Sequence, residues 1–530
     1  MYAALKLFSK FAGLVLGLAL PGTLVPANSF ARTNGRGGGD TVHLQLFADR
    51  TFQVMDNFGA SDGWACQFVG LWNDTVKMKI ADLLFSQKID NDGSPLGIGL
   101  SAWRFNIGAG SADQGDKSGI KDPWRRAETF LNKNGSYDFS KSAGQRWFLK
   151  TAKRKGVKDF IGFCNSVPYQ LTANHLTYAT DGNTNLKPEN YEAFANYLIR
   201  VIKGVKKQTG VLFDFISPVN EPQWDWSDGG QEGSPYRNAE IAALSKVINK
   251  QLIGAKLPTK ISIAEAGEID YLYASGNKPE RGSQIQHFFM PKGPDYLLGL
   301  RQISHKLAAH SYFTTSPLSK GLEEREKITA ALNIARSKSG ISDLGYWMSE
   351  YCILGGNHGE IDGNHRDLGM TSALYLAKVV FMDLCYADAS GWHWWLAISP
   401  YDYKDGLIYV DKTLQTGKYY ASKMLWALGN YSRFVRPGYV RIEIRFSKQN
   451  PINSGLYISA FKDTKHNKVV VVVVNSDPTA KTLSLEGTRL ILKDVYITSD
   501  QYNLKHFKAA SQNAITLKPA SVTTLTGIFR

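Results

Sequence analysis

The chain has 530 residues, 43% of them hydrophobic and 12% aromatic, with four cysteines and a formal net charge of +15. That length supports a large core in two or three domains, or one large domain with a companion, and four cysteines are too few for a disulfide framework. The lysines are dispersed, and GVKK at 204–207 and KRKG at 153–156 fall on solvated faces of helix-like segments, so the positive balance suits an acidic polysaccharide or anionic surface and no nucleic-acid partner is expected.

Residues 1–31 read as a secretory signal peptide. Lys6 and Lys10 form a basic start, residues 11–20 are apolar but too short to span a membrane, and Ala27, Ser29 and Ala31 offer small residues for cleavage. Residues 32–42, containing RTNGRGGGD, form a flexible leader. No later apolar run reaches about 18 residues, so the expected product is exported (periplasmic, cell-surface or secreted), with no integral membrane segment after signal removal. HLQLFADRTFQVMD at 43–56 is strand material, expected to join a sheet built by the far end of the chain.

From 57 to 430, strand-length apolar runs alternate with helical spacing. The runs are NFGAS, SAWRFNIG, DFIGFCNSVP, LFDFISPVNEP, KISIAEAGE, LAAHSYF, GYWMSEYC and SGWHWWLAIS. Segments such as TVKMKIADLLFSQ, YEAFANYLIRVIKGVKKQTG and LGMTSALYLAKVVFMDLCYA lie between most of them. Eight parallel β/α units in that span indicate a (β/α)₈ TIM barrel. No GxGxxG or Walker loop follows the first strand, and no CxxC, HExxH or histidine cluster occurs, so neither cofactor nor metal is expected. Cys164 and Cys352 lie inside apolar strands, which favours buried thiols, although four cysteines also allow three full pairings. Residues 431–530 change to short strands split by turn residues, the pattern of an antiparallel β-sandwich.

Barrels of this kind carry their chemistry at the carboxyl ends of the strands. Glu221, in SPVNEPQWDW, ends the fourth strand, and Pro222 after it stops strand pairing. Glu350, in WMSEYC, ends the seventh. Two carboxylates facing each other across one cup are what glycoside hydrolysis requires: one protonates the leaving oxygen, the other attacks the sugar or activates water. Glu265 and Glu268 on the fifth strand open onto the same cup and compete for these roles, or form structural salt bridges.

With PVNEP and WMSEY in that order, the chain resembles glycoside hydrolase family 30 over about residues 43 to 530. QEGSPY (231–236) and FCNSVPYQLT (163–172) resemble the endo-β-1,6-galactanase-like branch. The resemblance implies a retaining glycosidase with Glu221 as acid/base and Glu350 as nucleophile. It implies that Asn220 bonds the sugar 2-hydroxyl, that Arg104 keeps the nucleophile ionised, and that His310 and Tyr312 stand beside it. It also implies Trp395 as a platform under the sugar and Asp62 as a sugar contact. Trp224, Trp226 and Tyr236, in the loop after Glu221, are expected sugar platforms. On the eighth strand, alternation puts His393 and Trp395 on the face opposite Trp392 and Trp394. The expected substrate is a β-1,6-linked galactan. β-1,6-Glucan and xylan are alternatives within the family, and a non-catalytic carbohydrate-binding protein is the alternative outside it.

Overall fold

The computed structural model describes residues 41–447, 450–486 and 490–529. The signal peptide and the leader up to residue 40 lie outside the described residues. The last two expected leader residues already belong to the first strand, β1 (Thr41–Val54).

Eight parallel strands form the barrel: β2 (Asn57–Ser61), β3 (Ala102–Asn106), β4 (Asp159–Phe163), β5 (Phe215–Ser217), β6 (Lys260–Ala266), β7 (Ile303–His310), β8 (Gly345–Tyr351) and β9 (Ala389–Ser399). Each pairs with the next, and β9 pairs with both β8 and β2 to close the ring. A closed ring covered by helices buries both strand faces, so the strands read as continuous apolar runs. All of β9 is buried, for example. Inward side chains stack in layers because strand side chains alternate with period two. The lowest layer is Ala102, Ile161 and Trp347, with Phe215 packed against it. Two residues further along β3, β4 and β5 stand Arg104, Phe163 and Ser217. Apolar packing therefore closes the bottom, and polar groups begin one layer up.

The outer ring comprises α1 (Asp74–Phe85), α2 (Ala143–Arg154), α3 (Tyr191–Thr209), α4 (Asn238–Gly254), α5 (Leu318–Ser339) and α6 (Met370–Tyr386). In α3, Phe194, Leu198, Val201, Ile202 and Val205 share the buried face, at the spacing that lines up one side of a helix. Gly210 ends it at φ 72°, a left-handed position glycine takes without a Cβ penalty, and its N–H returns to the Lys206 carbonyl. Between β6 and β7 a 3₁₀ turn at Ile269–Leu272 and a π turn at Ile285–Phe289 replace a regular helix. The end of β9 continues past the ring to pair with β10 (Gly406–Val410), followed by β11 (Tyr419–Ala421) and α7 (Lys423–Ser432).

The last strands are β12 (Val440–Phe446), β13 (Leu456–Asp463), β14 (Lys468–Asn475), β15 (Lys481–Leu485), β16 (Leu490–Thr498), β17 (Lys505–Lys508), β18 (Ala514–Leu517) and β19 (Ser521–Phe529). With β1 they make one curled nine-stranded sheet, ordered β17-β16-β19-β14-β13-β12-β1-β15-β18. The pairing is antiparallel except where β1 runs parallel to β15, a difference from the all-antiparallel expectation. A strand arriving from the far end of the chain needs no hairpin to its neighbour, so its direction is free. The run KVVVVVVN in β14 shows how sheet and barrel are joined. Val469, Val471 and Val473 enter the sheet's own core, while Val470, Val472 and Val474 enter the core shared with the barrel. Each buried Val contributes roughly 1.5–3 kcal/mol relative to exposure, so this one strand ties the two units firmly. Among the described residues no helix is long and apolar enough to cross a membrane.

Candidate active site

β5 is three residues long because Pro218 follows it and has no N–H for the ladder. The chain then reaches Glu221 at φ 43°, and the Glu221 N–H bonds the Glu265 carbonyl on the next strand at 2.8 Å. That bond holds the loop after β5 against the end of β6. Glu350 sits inside β8, one residue from its end. One carboxylate oxygen of Glu221, one of Glu350 and a ring nitrogen of His310 all lie within 4.8 Å of one another.

The cup brings together eight buried ionisable or hydroxyl-bearing groups. Arg104 Nη1 donates to Glu350 Oε2 at 2.9 Å, and the Tyr312 hydroxyl donates to Glu350 Oε1 at 3.0 Å. His310 Nδ1 lies 2.9 Å from Glu221 Oε1 and 3.6 Å from Glu350 Oε1. Its Nε2 lies 3.2 Å from Glu265 Oε2. Glu265 also accepts from Ser217 at 2.9 Å and from the Ser349 hydroxyl, and Arg104 Nη2 is 3.6 Å away. Glu265, read from the sequence as a competitor of the pair, is thus the shared anion beneath it.

Burial works against every charge here, so the partners decide the outcome. Burial alone lowers the His310 pKa, but the three surrounding glutamates outweigh it and raise it to about 10. Burial raises Glu265, yet Arg104, His310 and Ser349 bring it down to about 2. Burial pushes Glu350 above the usual carboxylate range; His310 and Arg104 pull it back, and the charge of Glu221 pushes it up again. Two cations thus face three carboxyls. Glu350 receives two fixed donors and Glu221 one. The donor set does not suit a metal ion, because Arg104 and the His310 imidazolium already supply the positive charge and occupy the carboxylate oxygens.

The remaining expected site residues divide. Asn220 is buried with its Oδ1 unpartnered, as is the neighbouring strand-end amide of Asn165. Asp62 accepts from the Asn106 N–H at 2.7 Å and from Gln145 at 3.1 Å, leaving Oδ2 without a partner. Burial raises its pKa to about 7 against those bonds and the field of Arg104. The register of β9 against β2 skips Trp395, since Ala60 faces Trp394 and Ser61 faces Leu396. This bulge aims the Trp395 ring at Trp64 and Phe163, with centroids 5.3 and 6.2 Å away. Trp392 and Trp394 stack on each other on the other face, and Trp392 donates to Asp383 at 2.9 Å.

Two expected platforms are corrected. Trp226 is 5% exposed: its Nε1 donates to the Glu221 carbonyl at 3.0 Å, and its ring covers Gly233, where a Cβ would approach within 2.4 Å. Tyr236 is 1% exposed. Neither presents a face to a ligand, because both are spent packing the loop after β5 onto the barrel. Trp224, in contrast, is half-buried. The QEGSPY motif also has a role that sequence alone did not reveal. Glu232 accepts from the N–H groups of Ala109 and Ser111 at 2.9 and 3.1 Å and from the Ser111 hydroxyl at 2.6 Å, clamping the loop after β5 to the loop after β3. A carboxylate between two glycine-rich loops was the available clue. The end of β7 is held from outside by the buried Arg325–Asp383 pair, at 2.8 Å, with Ser311 donating to Asp383 and Arg325 donating to the Thr314 carbonyl.

Residues 41–409 match the family model described as O-glycosyl hydrolase family 30, and residues 438–525 match that of the family 30 β-sandwich domain. A conserved exported protein from Bacteroides fragilis has a crystal structure that superposes with a TM-score of 0.83 at 32% identity, covering 91% of this chain and 99% of that one. An endo-β-1,6-galactanase of Hypocrea rufa is 25% identical over 257 residues, 43% of this chain and 53% of that enzyme. A glucuronoxylanase of Bacillus subtilis is 28% identical over 174 residues, 32% of this chain and 35% of that enzyme. The chain thus spans about half, or less, of the length of these two named enzymes.

The electrostatics of the ring give a pH test. The folded His310 holds its proton up to about pH 10, whereas an unperturbed histidine loses it near 6.5. Its contribution to stability is therefore complete below about pH 6.5 and disappears as pH rises through 10. Glu265 is the mirror case: its contribution is present above about pH 4.5 and disappears as pH falls through about 2. Nitrogen-15 NMR of the His310 ring at pH 8 is expected to show both nitrogens protonated, and Glu265→Gln is expected to lower its titration midpoint. A neutral ring at pH 8 would contradict this charge arrangement.

Proposed function

Since the chain belongs to O-glycosyl hydrolase family 30, we propose that it hydrolyses β-glycosidic bonds with retention, by double displacement through Glu350 and Glu221. The observation that carries this reading is the approach of the two carboxylates to within 4.8 Å across His310. Retaining enzymes keep the pair about 5–5.5 Å apart, whereas inverting ones leave about 6.5–9.5 Å for a water. In the first step Glu350 attacks the anomeric carbon while Glu221 gives its proton to the departing oxygen. In the second, Glu221 takes a proton from water, the water oxygen attacks the same carbon, and the bond to Glu350 breaks. Arg104 and Tyr312 orient Glu350 and favour its anionic form, and His310 fixes Glu221 against it. Asn220, with its amide oxygen unpartnered, stands where a sugar 2-hydroxyl would be bound. A non-catalytic carbohydrate-binding role fits less well, because both carboxylates and all their partners are present.

The substrate we propose first is a β-1,6-linked galactan, supported by QEGSPY, FCNSVPYQLT and the partial likeness to the Hypocrea rufa enzyme. The likeness to a glucuronoxylanase favours xylan as a second reading. These sugars differ in one hydroxyl orientation or one hydroxymethyl group, and buried amides such as Asn165 and Asn220 are the kind of partner that discriminates strongly on that basis.

Glu221→Ala is expected to lower kcat/KM on polysaccharide by about 10²–10⁴-fold while sparing aryl glycosides with good leaving groups, which need little protonation. Glu350→Ala is expected to abolish turnover of both. Steady-state kinetics on the two substrates check this, and equal losses in Glu221→Ala on both would remove Glu221 from the acid role. For the substrate, kcat/KM should be higher on debranched β-1,6-galactan than on β-1,6-glucan or glucuronoxylan. Absence of that preference would end the galactan reading and leave the retaining mechanism standing.

A further inference from the structure

Phe313 follows directly on Tyr312, whose hydroxyl bonds Glu350. It is 37% exposed and has a φ of 58°, a left-handed conformation that is a genuine outlier for a bulky side chain. Strain of this kind persists only where the surroundings impose it. Here they do: Thr314 donates to the Ser311 carbonyl at 3.0 Å, and Arg325 donates to the Thr314 carbonyl at 2.9 Å and to Ser311 Oγ at 3.1 Å. The buried network pins both sides of Phe313 and holds an aromatic ring out of the protein core.

The ring does not stand alone. Trp224 meets it edge to face, with centroids 6.3 Å apart at 88°. Trp224 in turn lies over Gly267, where a Cβ would come within 2.4 Å of its Nε1. Gly355, with φ 71°, lies against the edge of Phe313, where a Cβ would stand 3.2 Å from the ring. Two glycines therefore clear space for two aromatic rings at the rim. The ledge has a side. The backbone N–H of Trp224 donates to the Glu221 carbonyl at 3.2 Å, so the pair of rings adjoins the carboxyl that faces the leaving oxygen in the proposed reaction. Glu268, next to Gly267, is half-buried and makes no side-chain cap bond to the 3₁₀ turn that follows it, so its carboxyl can offer a sugar hydroxyl a partner.

We propose that Phe313, with Trp224, is the stacking platform for the sugar on the leaving-group side of the scissile bond, and that its strained backbone is kept for that purpose. A pyranose presents a flat C–H face to such rings while its hydroxyls reach polar groups at the edge. Phe313 is thus a positioning residue for the departing sugar, and this inference rests on the glycosidase reading.

Phe313→Gly tests it, because glycine takes this φ without strain and the variant is expected to fold with unchanged or higher Tm. Two substrates separate the roles: an oligosaccharide whose leaving group is a sugar, and the corresponding glycosyl fluoride, whose leaving group is a single atom. The variant is expected to lose roughly tenfold or more in kcat/KM on the oligosaccharide and to stay within about twofold on the fluoride, with Phe313→Tyr keeping both rates. Equal losses on both substrates with a lower Tm would make Phe313 a packing residue, and no loss on the oligosaccharide would also overturn the proposal. Failure of the wild-type protein to cleave either substrate would instead overturn the underlying reading of a glycosidase.

Discussion

Three carboxyl groups are held out of water around two cations at the mouth of a barrel, and the rest of the structure is arranged to make that tolerable. An isolated buried charge is very costly, and removing one partner from a buried pair typically costs about 3–5 kcal/mol. Arg104 and His310 can serve Glu221, Glu265 and Glu350 only if four different strands and one loop deliver them to the same point. A closed parallel barrel does this, since inward side chains at matching heights on different strands converge. Ser217, Ser349 and Tyr312 satisfy the lone pairs that remain. The carboxylate near pKa 2, Glu265, is the one that Ser217, Ser349, His310 and Arg104 all share.

The loops above this ring are fastened to one another as tightly as the strands below. Glu232 joins the loops after β5 and β3, Trp226 lies across Gly233, and the Arg325–Asp383 pair braces the end of β7. Positive φ at Glu221, Trp226, Glu265 and Phe313 collects around the same opening. Such residues cluster where a site is pre-organised and the surrounding bonds offset the strain. A rim fixed in this way presents its groups to a ligand without reordering, which spares the entropic cost of binding.

Much of this was legible in the sequence, and the part that was not has identifiable causes. The barrel followed from two alternating periodicities, and all eight expected strands are present. The placement of Glu221 and Glu350 followed from strand ends. Arg104, His310 and Tyr312 came through resemblance, and the structure puts them in contact with the pair. Glu265 was ambiguous because a carboxyl at a strand end looks the same whether it reacts or anchors; only its four partners distinguish the two. Trp226 and Tyr236 were misplaced because a loop aromatic carries no sign of which way it faces, and the deciding neighbour, Gly233, gives its information only through a close approach in three dimensions. The exposed ring of Phe313 was hidden by the reverse problem. It sits in an apolar strand-like run, LAAHSYF, and only the left-handed backbone after Tyr312 turns it outward. The parallel pairing of β1 with β15 has no local signature, since it joins segments more than 400 residues apart.

The central claim is that Glu350 becomes covalently bonded to the sugar while Glu221 and Glu265 do not. Incubation with a 2-deoxy-2-fluoro glycoside bearing a good leaving group slows release of the intermediate enough for mass spectrometry of the intact protein and its peptides. The expected result is a mass increase of one fluorosugar, located on Glu350 within the WMSEYC segment. A label on Glu221 or Glu265, or turnover of the reagent through an inverted product with no adduct at all, would contradict the account.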